Sequence, residues 1–329
     1  MERVAFSTTG TEANFSAIRL ARAATGRDKI VMFNGSYHGH ADNVLGRSVA
    51  SSVERRAVPL YRGTPPSAVA DLFVLDYGDP ASLTVIEEFA DEIAVVIVEA
   101  VQSRNPWRRP MEFVRRLRDV TRDHDIVLMF DEMLTGLRFA PGGAQDFYGV
   151  SADLATYGKV LGGGFPIGAV AGRSDILDTA DGGFWRYGDD SFPPADKTMF
   201  GGTYMMHPVS MVAAKAVLTH LTEQGPELQR RLNARTDEMT DGLNHFFETE
   251  NFPLRIHNFG SMFRFEDHAD LDLLHRHLLF RGAHIWERRN SFLSTAHSDD
   301  DIEFIMDALR DSLRELRDAG FFPADYAPA

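Results

Sequence analysis

The chain has 329 residues, 44% of them hydrophobic, enough to bury a large core in two domains or in one large domain with an appendage. Its 34 basic and 48 acidic side chains leave a net charge of -14, which repels phosphate backbones and anionic lipid and argues against nucleic acid and membrane as partners. Cysteine is absent, which removes disulfides, thiol catalysis and cysteine metal sites; with no apolar run near the ~20 residues of a bilayer span and no signal peptide after Met1-Glu2-Arg3, a cytoplasmic location is expected.

Arg3 to Ser7 reads as a short strand. Thr8-Thr9-Gly10-Thr11-Glu12 then opens a helix whose apolar positions are Ala13, Ala17, Leu20, Ala21 and Ala24, closed by Gly26. A glycine flanked by hydroxyl residues at a helix start offers free backbone N–H groups, two hydroxyls and the positive end of the helix dipole. Thr9, Gly10 and Thr11 are therefore a candidate phosphate site, although an ordinary threonine N-cap accounts for the same residues.

Ile30 to Phe33 is a second strand, followed by Asn34-Gly35-Ser36-Tyr37-His38-Gly39-His40-Ala41-Asp42. His38, His40 and Asp42 have the ligand spacing of some metallohydrolases, but Asn43 stands where a further histidine belongs and no second His/Asp cluster completes the set. No metal is expected. Tyr37, just past a strand end, is placed to stack on a planar ligand; a half-buried loop tyrosine is the plainer alternative.

Ser48 to Ser67 has the composition of a surface excursion. Leu72 to Leu75 is a strand, and Leu83, Ile86, Ala90 and Ile93 give the next helix its buried stripe. The apolar strand Ala94 to Val98 ends in Glu99, at the edge where open α/β sheets bind ligands. Pro110 starts a helix with Phe113, Leu117 and Val120, and the strand Ile126 to Phe130 ends in Asp131-Glu132. A buried acid in the place of Asp131 can hold a protonated ring nitrogen, or it can cap a helix.

Lys159 follows one strand later, in Tyr157-Gly158-Lys159-Val160-Leu161-Gly162-Gly163-Gly164, ahead of an apolar strand from Ile167 to Ala171. Small neighbours leave room for a flat group against the amine, and apolar surroundings favour the neutral form that attacks a carbonyl to make a Schiff base. A glycine-rich turn with an incidental lysine is the alternative. A phosphate-binding P-loop is excluded, because Asp153 stands at its first glycine and Val160 at its Ser/Thr.

Gly182 to Gly202, with Trp185 and Tyr187, reads as an active-site or interface loop, and Gly201-Gly202-Thr203-Tyr204 follows it. Pro208 starts a helix with Val209, Val212, Ala213, Ala216 and Val217 expected inward. Past Gln224-Gly225-Pro226 comes a long helix with Leu228, Leu232, Met239, Leu243, Phe246 and Phe247 on one face. Strands are expected at Ser261 to Phe265 and His284 to Trp286, and Ser298 heads a final capped helix. The scattered histidines there read as surface or packing residues. The alternation predicts an α/β fold: a mostly parallel sheet in a large domain, residues 1–218, and a smaller α+β domain, residues 219–329.

A phosphate-type Thr-Gly-Thr, a strand-end Asp131 and a glycine-flanked Lys159 are three handles for pyridoxal phosphate. The order Thr9-Gly10-Thr11-Glu12-Ala13, Gly35-Ser36-Tyr37-His38-Gly39, Asp131-Glu132-Met133-Leu134-Thr135-Gly136, Gly158-Lys159-Val160-Leu161-Gly162-Gly163-Gly164 and Gly202-Thr203 resembles class III, fold type I aminotransferases, the glutamate-1-semialdehyde aminomutase branch in particular. Three segments, Val101 to Pro106, Asp181 to Thr203 and Arg281 to Ile302, look closer still to the aminotransferase domains of hybrid polyketide/nonribosomal peptide synthases of the iturin type.

The resemblance implies that Lys159 binds pyridoxal phosphate covalently and shuttles the proton, while Asp131 keeps the pyridine nitrogen protonated. By the same likeness Tyr37 and Met133 cover the two ring faces and His38 and Glu99 belong to the cofactor site. Gly10 and Thr11 would hold the phosphate, and Gly202-Thr203 would reach that of the other subunit, which implies a homodimer. An amino-acid donor and a β-ketoacyl acceptor on a carrier protein are expected, with aminomutase chemistry or a non-catalytic relic as alternatives. Three departures stand out: Ala100 replaces the family's usual proline after Glu99, Leu137 replaces its phenylalanine, and the family's segment ahead of the Arg3 strand is missing. An excised domain or a truncated gene is expected from the last.

Overall fold

A computed structural model of the chain describes residues 1–49, 57–183, 185–186, 188, 190–191, 197–267, 271–287 and 289–321. They form two compact units, the first made of Met1–Ser103 and Arg109–Gly225, the second of Arg104–Arg108 and the chain from Pro226 onward.

In the first unit β1 (Arg3–Ser7), α1 (Gly10–Thr25) and β2 (Lys29–Phe33) lead through the hairpin β3 (Gly46–Arg47) and β4 (Val58–Pro59) to β5 (Leu72–Leu75). There follow α2 (Pro80–Glu88), β6 (Ile93–Val98), α3 (Met111–Asp123), β7 (Val127–Asp131), α4 (Ala144–Tyr148) and β8 (Leu154–Gly158). The unit ends with β9 (Gly168–Gly172), α5 (Ser174–Asp181) and α6 (Pro208–Gln224).

Seven strands make one sheet in the order β1-β9-β8-β7-β6-β2-β5. Only β9 opposes the rest: it pairs antiparallel with β8 and β1, and the other pairings are parallel. β6 and β7 are buried throughout and read as unbroken apolar runs, broken only by Asp131 at the end of β7, instead of alternating ones. Helix α1 packs on β9, β8 and β6, and α3 on β7. α1 ends at Gly26, which adopts φ +67, a left-handed cap that costs glycine nothing. Ala24, expected on its buried face, is exposed.

α6 corrects a sequence reading. Only Ser210 and Ala214 are buried along its length; Val209 is 48% and Val212 69% exposed and Ala216 is exposed too, while Ala213 and Val217 are half-buried, so most of the apolar stripe expected to face inward is turned outward. The helix also runs beyond residue 218, where the domain boundary was expected, and stops at Gly225. Of the aromatic loop from Gly182 to Gly202, Tyr187 lies outside the described residues.

The second unit holds α7 (Glu227–Thr249), β10 (Leu254–Phe259), β11 (Met262–Asp267), α8 (Asp272–Phe280), β12 (Ser291–Phe292) and α9 (Asp299–Asp318). Its strands form an antiparallel sheet in chain order, and Met239, Leu243, Phe247, Leu274, Leu278, Leu309 and Leu313 make its core. α9 begins with the expected capping box, Ser298 and Asp301 satisfying each other's backbone N–H groups. His284 to Trp286 is not a strand; the third strand is β12, and β10 supplies one that the sequence reading omitted.

Candidate active site

Because β1, β2, β6, β7 and β8 run parallel, their carboxyl ends emerge along one edge of the sheet. Each delivers residues singled out from the sequence: Thr9, Gly10 and Thr11 after β1, Tyr37 and His38 after β2, Glu99 after β6, Asp131 and Met133 at the end of β7, and Lys159 after β8. A cavity of about 340 Å³ opens there, within the range of small-molecule sites. Thr9, Gly10, Thr11, Tyr37, Asp131, Met133 and Lys159 line it, whereas His38 and Glu99 lie buried. Gly202 and Thr203 are exposed on the approach to α6 and do not line this cavity.

The phosphate-like end is the start of α1. Thr9 is its N-cap, its hydroxyl accepting from the Glu12 N–H at 3.2 Å, while the Glu12 carboxylate accepts from the Thr8 N–H at 2.7 Å. The capping group thus engages the third turn residue, and helix geometry leaves the Gly10 and Thr11 N–H groups without an intrahelical acceptor. A Cβ on Gly10 would lie 2.7 Å from the Met133 sulfur, so glycine keeps this cradle open.

Asp131 is buried and its carboxylate is held by three donors. Its Oδ2 takes hydrogen bonds from Asn14 Nδ2 and His38 Nδ1, both at 2.8 Å, and its Oδ1 accepts from the Met133 N–H at 3.1 Å. Burial pushes the carboxyl up, but the His38 bond and charge, the Met133 amide and the Lys159 charge together outweigh it and hold Asp131 below the ordinary carboxylate value. His38 Nε2, also buried, has no hydrogen-bond partner among the described residues. Behind it, Glu99 accepts from the Ser103 N–H at 2.9 Å and the Tyr37 N–H at 3.3 Å; burial, then the nearby Asp131 charge, raise its pKa. Tyr77 and Tyr148 hydroxyls both donate to the Ala100 carbonyl, at 2.5 and 2.7 Å, and so fix the chain just after Glu99.

Lys159 opens a 3-10 turn, Lys159–Gly162, between β8 and β9, with φ +46. A non-glycine residue in that left-handed region stores roughly 1–3 kcal/mol of backbone strain, a feature that gathers at functional sites. The side chain is open to the cavity, and desolvation by the surrounding protein lowers its pKa. Asp131 and Glu99 counter this, and the positive charge of Arg138 adds to it. The amine is thereby moved toward the neutral nucleophile.

The residues present fit pyridoxal phosphate. An anion can sit on the α1 amides, a ring nitrogen can meet an anionic Asp131, a carbonyl can meet Lys159, and the cradle beside Met133 is one that a Cβ on Gly10 would fill. The metallohydrolase alternative fares differently: His38 turns Nδ1 to Asp131, His40 and Asp42 are exposed, and among the described residues no group of three His, Cys, Asp or Glu side chains is placed to hold a metal. Sequence reasoning missed Asn14 and Thr156. Thr156 donates to Asn14 Oδ1 at 2.6 Å, and Asn14 in turn donates to Asp131 and to the His38 carbonyl. No local motif signals this pair, since the partners stand 142 residues apart.

The family model for class-III aminotransferases matches residues 1–287. A glutamate-1-semialdehyde 2,1-aminomutase from Alkaliphilus oremlandii is 34% identical over 333 residues, covering 96% of this chain and 75% of the relative. Among solved structures, an omega-transaminase from Sphaerobacter thermophilus superposes with a TM-score of 0.85 at 30% identity, covering 96% of this chain and 75% of the other. A beta-phenylalanine aminotransferase from Variovorax paradoxus follows at 0.79 and 28%, covering 97% and 71%. With the lysine, aspartate and helix terminus gathered at one edge of a fold type I sheet, the chain belongs to the class-III aminotransferases, as a pyridoxal-phosphate-dependent enzyme.

Proposed function

We propose that this enzyme moves an amino group from an amino-acid donor to a keto acceptor, with Lys159 as the covalent holder of the cofactor and as the group that carries the proton between the two carbons. The observation that supports this most is a desolvated lysine facing the same cavity as a buried, anionic Asp131. Bound pyridoxal phosphate supplies an electron sink for the carbon next to the amine. With the cofactor bound, Asp131 would keep the ring nitrogen protonated, Gly10 and Thr11 would hold the phosphate, Tyr37 and Met133 would bound the ring, and His38 and Glu99 would support the site from behind. Borohydride reduction followed by peptide mapping tests this reading: pyridoxyl label on the Lys159 peptide, lost in Lys159→Ala, supports it. Label elsewhere, or none after incubation with the cofactor, defeats it.

The outward apolar stripe of α6 favours a homodimer, in which Gly202 and Thr203 serve the cofactor phosphate of the partner subunit. For the acceptor we favour a β-ketoacyl chain tethered to a carrier protein, because the segments Val101 to Pro106 and Arg281 to Ile302 resemble those of synthase-embedded aminotransferases. The aminomutase relatives favour a second reading, glutamate-1-semialdehyde isomerisation. Incubation with an amino donor and a carrier domain bearing a β-ketoacyl group separates them by mass. Replacement of the carbonyl oxygen by an amine and a hydrogen, with donor consumed, supports the first; isomerisation of the semialdehyde without a donor supports the second.

A further inference from the structure

Asn14 occupies the second turn of α1, only 2% exposed, and every polar atom of its side chain is used. Nδ2 has two hydrogens, one directed to Asp131 Oδ2 at 2.8 Å and one to the His38 carbonyl at 3.1 Å. Oδ1 accepts from the hydroxyl of Thr156, which is fully buried on β8. The opposite amide orientation would set Asn14 Oδ1 against a carboxylate and a carbonyl, two acceptors facing a third, so the surroundings dictate which way the amide points. We infer that Asn14, oriented by Thr156, is a positioning residue that holds the Asp131 carboxylate ionised and in a single rotamer for a protonated ring nitrogen. This rests on the role given to Asp131 above.

The physical argument is one of basicity. A buried carboxylate with three donors is a weak base and leaves a shared proton on its partner; with a donor removed, its basicity rises and the proton shifts toward oxygen. His38 and Asn14 both bind Oδ2, and Asn14 alone among the two side chains carries no ionisable group. Its donation therefore persists at every pH. Asn14 also ties the His38 backbone to the same helix, so one amide fixes both the acid and the residue that supports it.

The test uses the full chain loaded with pyridoxal phosphate labelled with 15N in the ring, whose nitrogen chemical shift reports protonation. Variants Asn14→Ala and Thr156→Val are compared with the parent and with Asp131→Asn. Expected are a shift in Asn14→Ala toward the unprotonated ring nitrogen and a loss of cofactor affinity of roughly tenfold or more, the size of a hydrogen bond to a charged group. Thr156→Val, close in shape, should give a smaller change in the same direction. A lowered melting temperature with an unchanged nitrogen shift in both variants would mean a merely structural role and would overturn the inference. If Asn14→Ala does not fold, Thr156→Val decides by the same criterion. An unchanged shift in Asp131→Asn would instead remove the assigned role of Asp131, and the inference with it. A changed shift there beside unchanged Asn14 and Thr156 variants would remove the inference alone.

Discussion

The left-handed backbone at Lys159 can be isolated from its chemistry by comparing Lys159→Ala with Lys159→Gly in the cofactor-free protein. Both variants remove the same desolvated amine, so its release from the cavity cancels in the comparison. What differs is the response to φ +46, where an L-residue strains and glycine does not. Relief of that strain favours glycine by about 1–2 kcal/mol, and the extra freedom glycine gains in the unfolded chain opposes by ~0.5–1 kcal/mol. The glycine variant should therefore be more stable than the alanine variant by about 0.75 kcal/mol, the middle of a ~0–1.5 kcal/mol range, or about 2 °C in melting temperature. Scanning calorimetry of the two apoproteins measures it. Equal stability, or alanine ahead, would refute the claim that strain is stored at this lysine.

Three further outcomes are expected. Glu99→Gln should gain stability relative to the parent as pH rises. A carboxyl whose pKa is raised in the folded state contributes stability that is fully present below its unfolded value near ~4.3 and is lost as pH climbs through the folded value, and glutamine has no such loss. Urea midpoints at mildly acidic and alkaline pH show it, and a variant penalised more at alkaline pH contradicts the sign. Gly168→Ala should cost about 1–3 kcal/mol by thermal unfolding, because its Cβ would collide with the Ser7 hydroxyl and with the backbone of Thr9, which can yield only if the start of α1 shifts. Val212→Glu should leave the protein folded by circular dichroism but monomeric in light scattering, since that side chain is 69% exposed on the stripe assigned to the second subunit; an unchanged dimer would discount α6 as the interface.

Strand ends were the most legible part of the site. Glu99, Asp131 and Lys159 each follow an unbroken apolar run or a glycine flank, so their place at the sheet edge is written in the few residues around them. The direction of α6 was not legible, because periodicity tells which residues share a face and not whether the chain itself covers that face. β10 was missed because Leu254-Arg255-Ile256-His257-Asn258-Phe259 mixes exposed and half-buried polar positions into a short strand. Its His257 pairs with Glu266 at 2.6 Å and lies with its ring 4.9 Å from that of Trp107 and tilted against it, contacts no periodicity could announce. The Thr156-Asn14-Asp131 chain was invisible for a related reason: it joins α1, β8 and β7, and its members become neighbours only when the sheet is assembled.

The turn that holds Lys159 is the link of a hairpin locked on each side. β8 is laddered to β7, and β9 to β1, with β8 and β9 paired from Leu154 and Gly172 up to Gly158 and Gly168 at the turn itself. Local unfolding that would free this lysine has to break the ladder in the interior of the sheet, so amides of β8 belong to the slowest-exchanging class of the first unit, and those of α6, with two buried residues, to a faster one. A side chain in a slow-opening segment keeps its position while less stable parts of the fold move. Any rearrangement around the cavity then falls to its loops, such as the one bearing the half-exposed Tyr37, and not to the hairpin that carries Lys159.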